Sequence, residues 1–339
     1  MAETVLVTGG TGYVAGWCVV ELLKRGFDVR TTVRSLAKEA AVRTAVASEV
    51  DPGERLSFHV ADLTSDAGWD TALAGVDYVL HVASPLGDGN PKNPDDLIIP
   101  AREGAVRVLR AATEAGVKRV VLTSACAAAS PSLYTEDSVT DETLWTDPDD
   151  PRLTTYRKSK TLAERAAWDF MASYDGPTTL TTILPGAVFG PVLAPADGGS
   201  VQVIGRLLDG RMLGTPRLGF EIVDVRDLAD VHIRAMTADA AAGQRFIAVG
   251  EFLWMSEMAT ALRTSLGESA RKVPTRRLPD FALKAMSLFD SSLRDITPAL
   301  GRKHRHTAAK AEHLLGWHAR PATETVTTCG QSLLTKNAL

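Results

Sequence analysis

A glycine-rich segment near the start of the chain most narrows what it can fold into. Residues 8–16 read Thr-Gly-Gly-Thr-Gly-Tyr-Val-Ala-Gly, between the apolar run Val5–Val7 and a helical pattern. In that position Gly9 permits a tight turn, Gly12 lets the backbone approach a pyrophosphate, and Ala15 lets the helix pack closely on a sheet. The helix N-terminus adds free N–H donors and a positive dipole end. The segment therefore predicts a dinucleotide-binding loop, with cofactor contacts from Thr8, Gly9, Thr11, Gly12, Tyr13 and Val14.

Short apolar runs alternate with helical patterns through the first half of the chain, which is typical of strand–helix–strand units. Strands are predicted at 28–33, 56–60, 76–82, 117–123 and 179–184, and long helices at 95–115 and 152–174; a strand-then-helix pattern returns at 221–235 and a strand at 245–249. The predicted fold class is α/β, a doubly wound parallel sheet (Rossmann) with a smaller, mostly helical C-terminal substrate lobe. Residues 1–184, with 221–250 returning to them, would form the dinucleotide-binding domain, and 185–220 with 251–320 the substrate-binding lobe.

The composition is that of an ordinary globular protein, with 339 residues, 23% of them charged, and a formal net charge of -4. No apolar run approaches the roughly 20 residues needed to cross a bilayer, and Met1–Thr4 shows no signal-peptide features, so we expect a cytoplasmic protein without a membrane partner. The absence of a basic cluster interleaved with aromatic residues argues against nucleic acid. Cys18, Cys126 and Cys329 fit no metal-ligand spacing, which predicts reduced thiols and no metal site. Monomer and homodimer both remain open.

The end of the second predicted strand indicates which dinucleotide binds. An acidic residue there would bind the ribose 2′-hydroxyl and repel a 2′-phosphate. The sequence has Arg34 at that point, with Lys38 as a second cation, whereas Asp28 stands too early in the strand. A guanidinium can hold a phosphate bidentately, so NADPH/NADP+ is favoured over NADH, unless both cations are simply solvated. Asp62 and Leu63, after the third strand, are expected at the adenine edge, although Asp62 could instead cap the next helix.

Tyr156 and Lys160 form the second chemical motif. They are four residues apart in the helix predicted from Arg152, so they share one face of it. A free phenol has a pKa of about 10 and is a poor acid at neutral pH, but a nearby ammonium stabilises its phenolate. Such a phenol could protonate a carbonyl oxygen as hydride arrives at the carbon. A lone Tyr-x-x-x-Lys pair is common on helices; behind a glycine loop it predicts that both residues are catalytic and contact the cofactor.

With these motifs in order, the chain resembles an extended short-chain dehydrogenase/reductase. Residues 8–15, 62–63, 156–160 and 184–191 follow at that family's spacings, and 29–34, 81–85 and 223–230 are similar to its dihydroflavonol reductase/ketoreductase branch. The match covers nearly the whole chain, including Leu314–Trp317. The resemblance implies NADPH-dependent reduction of a ketone or aldehyde by hydride transfer. It also implies that Lys160 holds the nicotinamide ribose, and that the cofactor contacts Val82, Ala83, Ser84, Thr123, Pro185, Gly186 and Val188.

One position departs from the family pattern. The catalytic serine of the family is usually the second serine of a Thr-Ser-Ser run, and this chain has Thr123, Ser124, Ala125 and Cys126 there. In direct register Ala125 replaces the hydroxyl that hydrogen-bonds the substrate oxygen, which should weaken transition-state stabilisation. Ser124 is the nearest replacement and the candidate catalytic residue. Consecutive strand residues face opposite ways, so it can act only if the backbone turns there; Thr123, Cys126 or a water are the other options.

Several other polar groups have structural interpretations. Residues 303–306, Lys-His-Arg-His, are expected to form a solvated basic segment, and His81 is expected to pack beneath the cofactor loop. Asp224–Asp227 indicates a helix N-terminus with an acidic cap. The carboxylates between residues 136 and 142 are expected in a polar loop.

The substrate is expected over the nicotinamide, at the carboxyl ends of the strands. Candidate walls are 85–89, 127–133, 192–213 and 281–289, whose apolar character favours a hydrophobic carbonyl compound. Residues 154–158 lack the aromatic, cysteine-containing motif of cinnamoyl-CoA reductases, and no arginine cluster indicates a nucleotide-sugar. Two alternatives stay open: an epimerase or isomerase on the same scaffold, and an NADP-binding sensor whose chemistry has decayed. The intact Tyr156 and Lys160 count against decay.

Overall fold

Strands and helices alternate along the chain, as the apolar runs predict. The structure is a computed structural model that describes residues 2–85, 91–133, 136–195, 198–288 and 297–338. The described strands, numbered in chain order, are β1 (Thr4–Val7), β2 (Asp28–Val33), β3 (Leu56–Val60), β4 (Tyr78–His81), β5 (Arg119–Thr123), β6 (Ser138–Thr140), β7 (Thr179–Pro185), β8 (Ala187–Phe189), β9 (Gly219–Asp224), β10 (Arg245–Ala248), β11 (Phe252–Trp254) and β12 (His304–His306). The described helices are α1 (Tyr13–Lys24), α2 (Glu39–Ala47), α3 (Trp69–Leu73), α4 (Asp95–Glu114), α5 (Thr155–Ala172), α6 (Val201–Leu208), α7 (Val225–Thr237), α8 (Met255–Leu266), α9 (Asp280–Met286), α10 (Ala309–Leu315) and α11 (Ala322–Thr335).

Seven strands form one sheet in the order β10-β7-β5-β4-β1-β2-β3, and every neighbouring pair in it is parallel. The chain steps from β1 outward to β2 and β3, then crosses over to β4 on the other side of β1. This reversal leaves a crevice at the carboxyl ends of β1 and β4, where dinucleotides bind in sheets of this kind. The α/β fold class predicted from the sequence, with its helical C-terminal region, is confirmed.

The main sheet is buried on both faces, which explains why its strands are continuous apolar runs. Side chains of successive strand residues point to opposite faces. Val5 and Val7 accordingly pack into one core with α1 and α7, whereas Leu6 packs into the other with α3, α4 and α5. All three side chains are fully buried.

Helix α4 shows how one face of a long helix is matched to the sheet. Its buried residues include Ala101, Ala105, Val108 and Ala112, spaced three to four apart so that they share one side. A Cβ at Gly104 would lie 2.9 Å from that of Leu63, so glycine lets α4 approach the segment after β3. No described helix combines the length and the apolar character that crossing a membrane requires.

The C-terminal region has a core of its own. Strand β9 pairs with β8 in parallel and with β11 antiparallel, forming a small three-stranded sheet. Helices α6, α8 and α11 pack on it, with Ile204, Leu262 and Cys329 fully buried. Strand β10, which lies between α7 and β11 in the chain, does not join this small sheet. It pairs with β7 at the edge of the main sheet.

The first turn of α7 links the main-sheet region to the C-terminal region through hydrogen bonds. Asp224 caps the helix by accepting the N–H of Arg226 at 2.9 Å, which confirms the predicted cap. One turn on, Asp227 receives the guanidinium of Arg320 at 2.6 Å and its backbone N–H at 2.8 Å. A bidentate guanidinium–carboxylate pair is directional as well as attractive. It therefore fixes the position of Arg320, two residues before α11 begins.

The basic segment at 303–306 is not solvated, and the sequence prediction for it is wrong. His304 and His306 are only 8% and 9% exposed and lie in β12, which pairs with β6. Nδ1 of His306 lies 2.5 Å from Oε2 of Glu221 on β9. Arg305 between the two histidines is exposed. The alternation His-Arg-His is that of a strand with one buried face, and its carboxylate partner is too distant in sequence to be recognised.

Gly10→Ala is expected to destabilise the protein, because a Cβ there would overlap the side chain of Thr31 on β2. Thr31 is fully buried and donates to Val7 O at 2.8 Å, so it has no room to move. Overpacking of this kind costs about 1–3 kcal/mol. Gly205→Ala is the matched control, since open space surrounds that position in α6 and alanine favours a helix by roughly 0.5–1 kcal/mol. Urea unfolding should give opposite signs; a Gly10→Ala protein as stable as the parent would contradict the packing argument.

Candidate active site

The glycine loop between β1 and α1 is open on the side that a phosphate would approach. Gly9 has a φ of +75°, and the N–H groups of Gly9 and Gly10 donate to the hydroxyl and the carbonyl of Thr32, each at 2.9 Å. Helix α1 begins without a side-chain cap or an acidic residue in its first turn, and Thr11 and Gly12 are exposed. An uncapped helix N-terminus leaves N–H donors and the positive dipole end for an anion. The loop therefore fits a pyrophosphate.

The hydroxyl of Thr8 joins this loop to the end of β4. Its oxygen accepts the N–H groups of Val82 at 3.0 Å and Ala83 at 2.9 Å, so its proton goes to Nδ1 of His81 at 2.9 Å. His81 is 1% exposed, and burial lowers its pKa to about 3. The ring is therefore neutral, with its proton on Nε2. The predicted packing of His81 beneath the loop is confirmed, and Ser84 follows it, half-buried, at the edge of the crevice.

Two cations stand where β2 ends. Arg34 directly follows the strand, and Lys38 closes the short 3₁₀ turn Leu36–Lys38, which Ser35 caps by accepting the N–H of Ala37 at 3.3 Å. Both cations are exposed. Within the described part of the chain neither forms a salt bridge. Their charges are therefore available at the same edge of the sheet as the glycine loop.

Asp62 stands at the end of β3. Its Oδ1 accepts the N–H and the hydroxyl of Thr64 at 2.8 and 2.7 Å. The bonds from Thr64 mainly, and the charges of Arg34 and Arg107 secondarily, lower the pKa of this carboxyl. Asp62 thus forms a local turn and does not cap α3, whose first residue is Trp69. The hydrogen bonds from Thr64 go to Oδ1, so they leave Oδ2 of the half-buried Asp62 for another donor.

Tyr156 and Lys160 occupy the first two turns of α5, which Thr154 caps by accepting the N–H of Arg157 at 3.3 Å. Lys160 is 8% exposed. Burial, with a smaller contribution from the Cys126 thiol, raises the pKa of Tyr156 to about 12. Burial lowers the pKa of Lys160 to about 8. At neutral pH the phenol is therefore protonated, and the ammonium lies close to its titration point.

The expectation that a nearby ammonium lowers the pKa of Tyr156 is not met in the chain by itself. Burial disfavours the charged phenolate and is the main cause of the raised pKa, and Lys160 is not among the causes. A protonated phenol is nevertheless the correct starting state for a group that gives a proton to a carbonyl oxygen. The raised pKa keeps this proton on the phenol but makes Tyr156 a weaker acid than a free phenol, so the chain by itself does not tune it for proton transfer.

Thr123, the last residue of β5, has a hydroxyl that is already paired. Its Oγ1 lies 2.7 Å from Nε2 of His232 on α7, and Nδ1 of that ring lies 2.7 Å from Leu228 O. A carbonyl only accepts, so Nδ1 carries the proton. Burial lowers the pKa of His232 to about 4, which leaves Nε2 unprotonated. Thr123 must therefore donate to His232.

Ser124 faces the opposite side of the sheet, toward α5. Its N–H donates to Ile183 O of β7 at 2.8 Å, so the strand ladder continues through it. Its hydroxyl, in a residue 4% exposed, donates to Oε2 of Glu164 at 2.6 Å. The backbone turn that Ser124 would need in order to replace the missing serine is absent at this residue. The placement argues against a catalytic role for Ser124, because its proton is given to Glu164.

Glu164 is the centre of a buried network that the sequence analysis missed. It accepts from the hydroxyl of Thr182 at 2.8 Å and from Nε of Arg245 at 2.8 Å. Arg245 also donates to the carbonyls of Glu142 at 2.5 Å and Ala128 at 3.4 Å. The network joins α5, β7, β10 and the loop after β5. The available signal was the position of Glu164, one turn beyond Lys160 on the same helix face.

Ala125 takes the register position of the family serine. It is extended, with φ −160° and ψ 153°, and precedes the 3₁₀ turn Cys126–Ala129. The Cys126 thiol donates to Leu184 O at 3.1 Å and lies close enough to influence the pKa of Tyr156. In register with the family serine, the residue before Cys126 therefore has a methyl group where the family has a hydroxyl.

Pro185, Gly186 and Val188 lie where β7 passes into β8. The N–H of Gly186 donates to Ala248 O at 3.2 Å. A Cβ at position 186 would lie 2.5 Å from Glu221 O, so this close approach of β7 and β9 requires glycine. Pro185 is buried, and Gly186 and Val188 are half-buried.

The residues predicted to hold a cofactor stand at the carboxyl edge of one sheet, on the segments that follow β1, β2, β3, β4, β5 and β7 and at the start of α5. The fold thus collects into one crevice what is spread over residues 8–188 of the sequence. Three parts of the predicted substrate walls, 86–89, 196–197 and 289, lie outside the described residues.

The sequence matches the NAD dependent epimerase/dehydratase family over residues 5–250. It is 33% identical to the ketoreductase azaE of Aspergillus niger, over 86% of this chain and 91% of that protein. It is 36% identical to the cinnamoyl-CoA reductase CAD2 of Medicago truncatula, over 78% of this chain and 81% of that protein. Cinnamoyl-CoA reductases are thus among its relatives even though residues 154–158 lack their motif.

The fold is similar to that of Gre2 from Candida albicans, crystallised in complex with NADPH. The TM-score is 0.82 at 26% sequence identity, over 98% of this chain and 99% of that one. The family match, the relatives above 30% identity and the shared architecture agree with one another. The chain therefore belongs to the NAD dependent epimerase/dehydratase family, that is, to the extended short-chain dehydrogenases/reductases that its sequence motifs resemble.

Proposed function

We propose that this chain is an NADPH-dependent reductase that converts a ketone or an aldehyde, hydrophobic in character, to the alcohol. The observation that carries the proposal is the pair Tyr156 and Lys160, packed at the carboxyl edge of the sheet. A protein that only binds the cofactor needs the glycine loop but has no use for a half-buried phenol one helical turn before a buried ammonium. The ketoreductase and cinnamoyl-CoA reductase relatives support reduction as the direction.

The crevice at the carboxyl ends of β1 and β4 is the proposed NADPH site. The loop residues Thr8, Gly9, Thr11, Gly12, Tyr13 and Val14 would hold the pyrophosphate; Val82, Ala83 and Ser84 would line the ribose side; Thr123, Pro185, Gly186 and Val188 would surround the nicotinamide. At the other end, Arg34 and Lys38 would hold the 2′-phosphate, and Asp62 and Leu63 the adenine. The exposed cations at the end of β2 support NADPH over NADH.

When bound, NADPH would supply a hydride to the carbonyl carbon. Tyr156 holds the proton that the carbonyl oxygen takes, because its raised pKa keeps the phenol protonated at neutral pH. Lys160, on the next turn of α5, stabilises the phenolate that is left and would contact the nicotinamide ribose. Below a pH of about 8 its ammonium carries the charge that this role needs.

The proposed substrate lies against the loop after β5 and the C-terminal region. Segment 127–133 is held by Arg157, which donates to the carbonyls of Ser132 at 2.8 Å and Pro131 at 2.6 Å. Leu213 and Phe281, in the other predicted walls, are 84% and 76% exposed. Apolar side chains of this size favour a hydrophobic carbonyl compound over a charged one.

The proposal also includes a cytoplasmic location and a monomer or a homodimer. The three cysteines are free and buried, which suits a reducing cytoplasm. Every residue assigned to the site comes from one chain, so a monomer and a homodimer are both compatible with it. We expect no nucleic-acid or membrane partner.

Tyr156→Phe should lower kcat for carbonyl reduction by roughly 10²–10⁴-fold, because the proton donor is lost. NADPH binding, measured by fluorescence titration, should change far less than kcat, because many other residues hold the cofactor. Tyr174→Phe is the matched control, since Tyr174 lies beyond the far end of α5 and its hydroxyl contacts Thr178. Full activity in Tyr156→Phe would refute the assignment. Tight NADPH binding without turnover of any carbonyl would favour a sensor, and turnover without net NADPH consumption would favour an epimerase.

Arg34→Ala should raise the KM for NADPH by about 10- to 100-fold, as expected for loss of a charge-assisted hydrogen bond to phosphate. The KM for NADH, which has no 2′-phosphate, should stay the same. Lys38→Ala should have a smaller effect in the same direction, and Arg110→Ala, an exposed arginine on α4, should have none. Equal changes for NADPH and NADH would show that Arg34 does not read the 2′-phosphate.

The rate of reduction should fall as pH rises through about 8, where Lys160 loses its proton. The sign follows from the chemistry: the ammonium, present below that pH, stabilises the phenolate formed as Tyr156 gives up its proton. Lys160→Arg should be slower but should keep its rate to higher pH, because a guanidinium stays protonated. A pH–rate profile of kcat tests this, and an unchanged alkaline limb in Lys160→Arg would exclude Lys160 as its origin.

A further inference from the structure

The end of β5 provides no side-chain donor for the oxygen of a substrate. Thr123 and Ser124 give their hydroxyl protons to an imidazole of α7 and a carboxylate of α5, on opposite faces of the sheet. The Cys126 thiol donates to a backbone carbonyl of β7. Ala125, which takes the register position of the family serine, has only a methyl group.

Neither the Thr123 nor the Ser124 hydroxyl can turn toward a substrate without a substantial cost in free energy. Ser124 donates to Glu164, whose carboxylate is fully buried against Arg245. Thr123 donates to the ring of His232, which is fully buried on α7. Turning either hydroxyl toward a substrate would leave a buried acceptor short of a partner, which is unfavourable. The arrangement is therefore fixed by packing.

The missing donor matters most in the transition state. As hydride reaches the carbonyl carbon, negative charge builds on the oxygen, and Tyr156 supplies one hydrogen bond to it. Removing one of two such donors lowers kcat by about 10²–10³-fold in other enzymes. A substrate that disperses this charge within its own structure suffers a smaller decrease in kcat.

We infer that this site is selective for electron-poor carbonyl compounds, in which the reacting carbonyl is bonded to a second carbonyl, as in 1,2-diketones, α-keto esters and α-keto aldehydes. The inference rests on the proposed reductase function. Ala125 is the specificity-determining residue: it removes the enzyme's second donor, so the adjacent electron-withdrawing group must stabilise the developing oxyanion.

The chemistry balances with the groups already named. Hydride from NADPH forms the new C–H bond, the π pair of the carbonyl moves to its oxygen, and that oxygen takes the phenol proton of Tyr156. The products are NADP+ and an α-hydroxy carbonyl compound whose second carbonyl is unchanged. The phenolate regains its proton from solvent.

The test compares substrates of matched shape in the full-length protein. kcat/KM is measured for 1-phenylpropan-1-one against 1-phenylpropane-1,2-dione, and for 4-substituted acetophenones of increasing electron withdrawal, with NADPH and 4-deuterated NADPH so that hydride transfer is observed. The variants are Ala125→Ser, which restores a hydroxyl, Ala125→Gly, which removes the methyl group without adding a donor, and Ser124→Ala.

The parent should prefer the dione by roughly 100-fold or more, and its rates should rise steeply with electron withdrawal. Ala125→Ser should shrink this preference by about tenfold or more, mainly by accelerating the plain ketone, since it restores the missing donor. Ala125→Gly should leave the preference unchanged. Ser124→Ala should keep both the preference and the rate within about threefold, because Ser124 donates away from the substrate.

Equal preferences in the parent and in folded Ala125→Ser would overturn the inference, as would loss of dione reduction in Ser124→Ala. If Ala125→Ser does not fold, the test uses the parent protein alone. A parent whose kcat/KM does not change across the 4-substituted acetophenones would overturn the inference. A parent that reduces both kinds of ketone equally well refutes only the selectivity. A parent that consumes no NADPH with any carbonyl refutes the proposed function itself.

Discussion

The ion pair between Glu164 and Arg245 holds together the elements that surround the candidate site. Their side chains are 0% and 9% exposed, and Nε of the guanidinium lies 2.8 Å from the carboxylate. Taking two charges out of water is costly unless all their hydrogen-bonding groups are satisfied. Arg245 meets this requirement through backbone carbonyls, and Glu164 through hydroxyls of Ser124 and Thr182. Helix α5, strands β7 and β10, the loop after β5 and the loop that contains Glu142 and Leu144 are thereby held in one arrangement.

This network has a chemical consequence, since the hydroxyl that completes it is lost to the substrate. Strand alternation sends Ser124 to the α5 face and Thr123 to the α7 face, and each meets a buried acceptor there. Ala125, the next residue, stands where a donor would be useful. The site thus retains a protonated phenol and an ammonium near its titration point, and Ala125 adds no hydroxyl to it. The hydroxyls of Thr123 and Ser124 therefore serve packing, and neither is left for the substrate.

The cofactor side of the crevice is built differently, mainly from backbone groups. Thr8 organises it by accepting two N–H groups at the end of β4 while it donates to a neutral His81. Thr32 holds the glycine turn from β2. These contacts fix the loop without occupying the first turn of α1. The helix N-terminus can therefore face a pyrophosphate, as it does in dinucleotide-binding folds generally.

The sequence by itself determined the fold class, most strand positions, the glycine loop and the spacing of Tyr156 and Lys160, because these depend on local periodicity and on residue types within one or two turns of chain. Tertiary structure alone decided the partners of Ser124, the burial of His304 and His306, and the upward shift in the pKa of Tyr156. Each depends on distant elements packing together: Ser124 and Glu164 are 40 residues apart. Hydrogen-bond partners and desolvation are properties of the packed interior, so no local pattern encodes them.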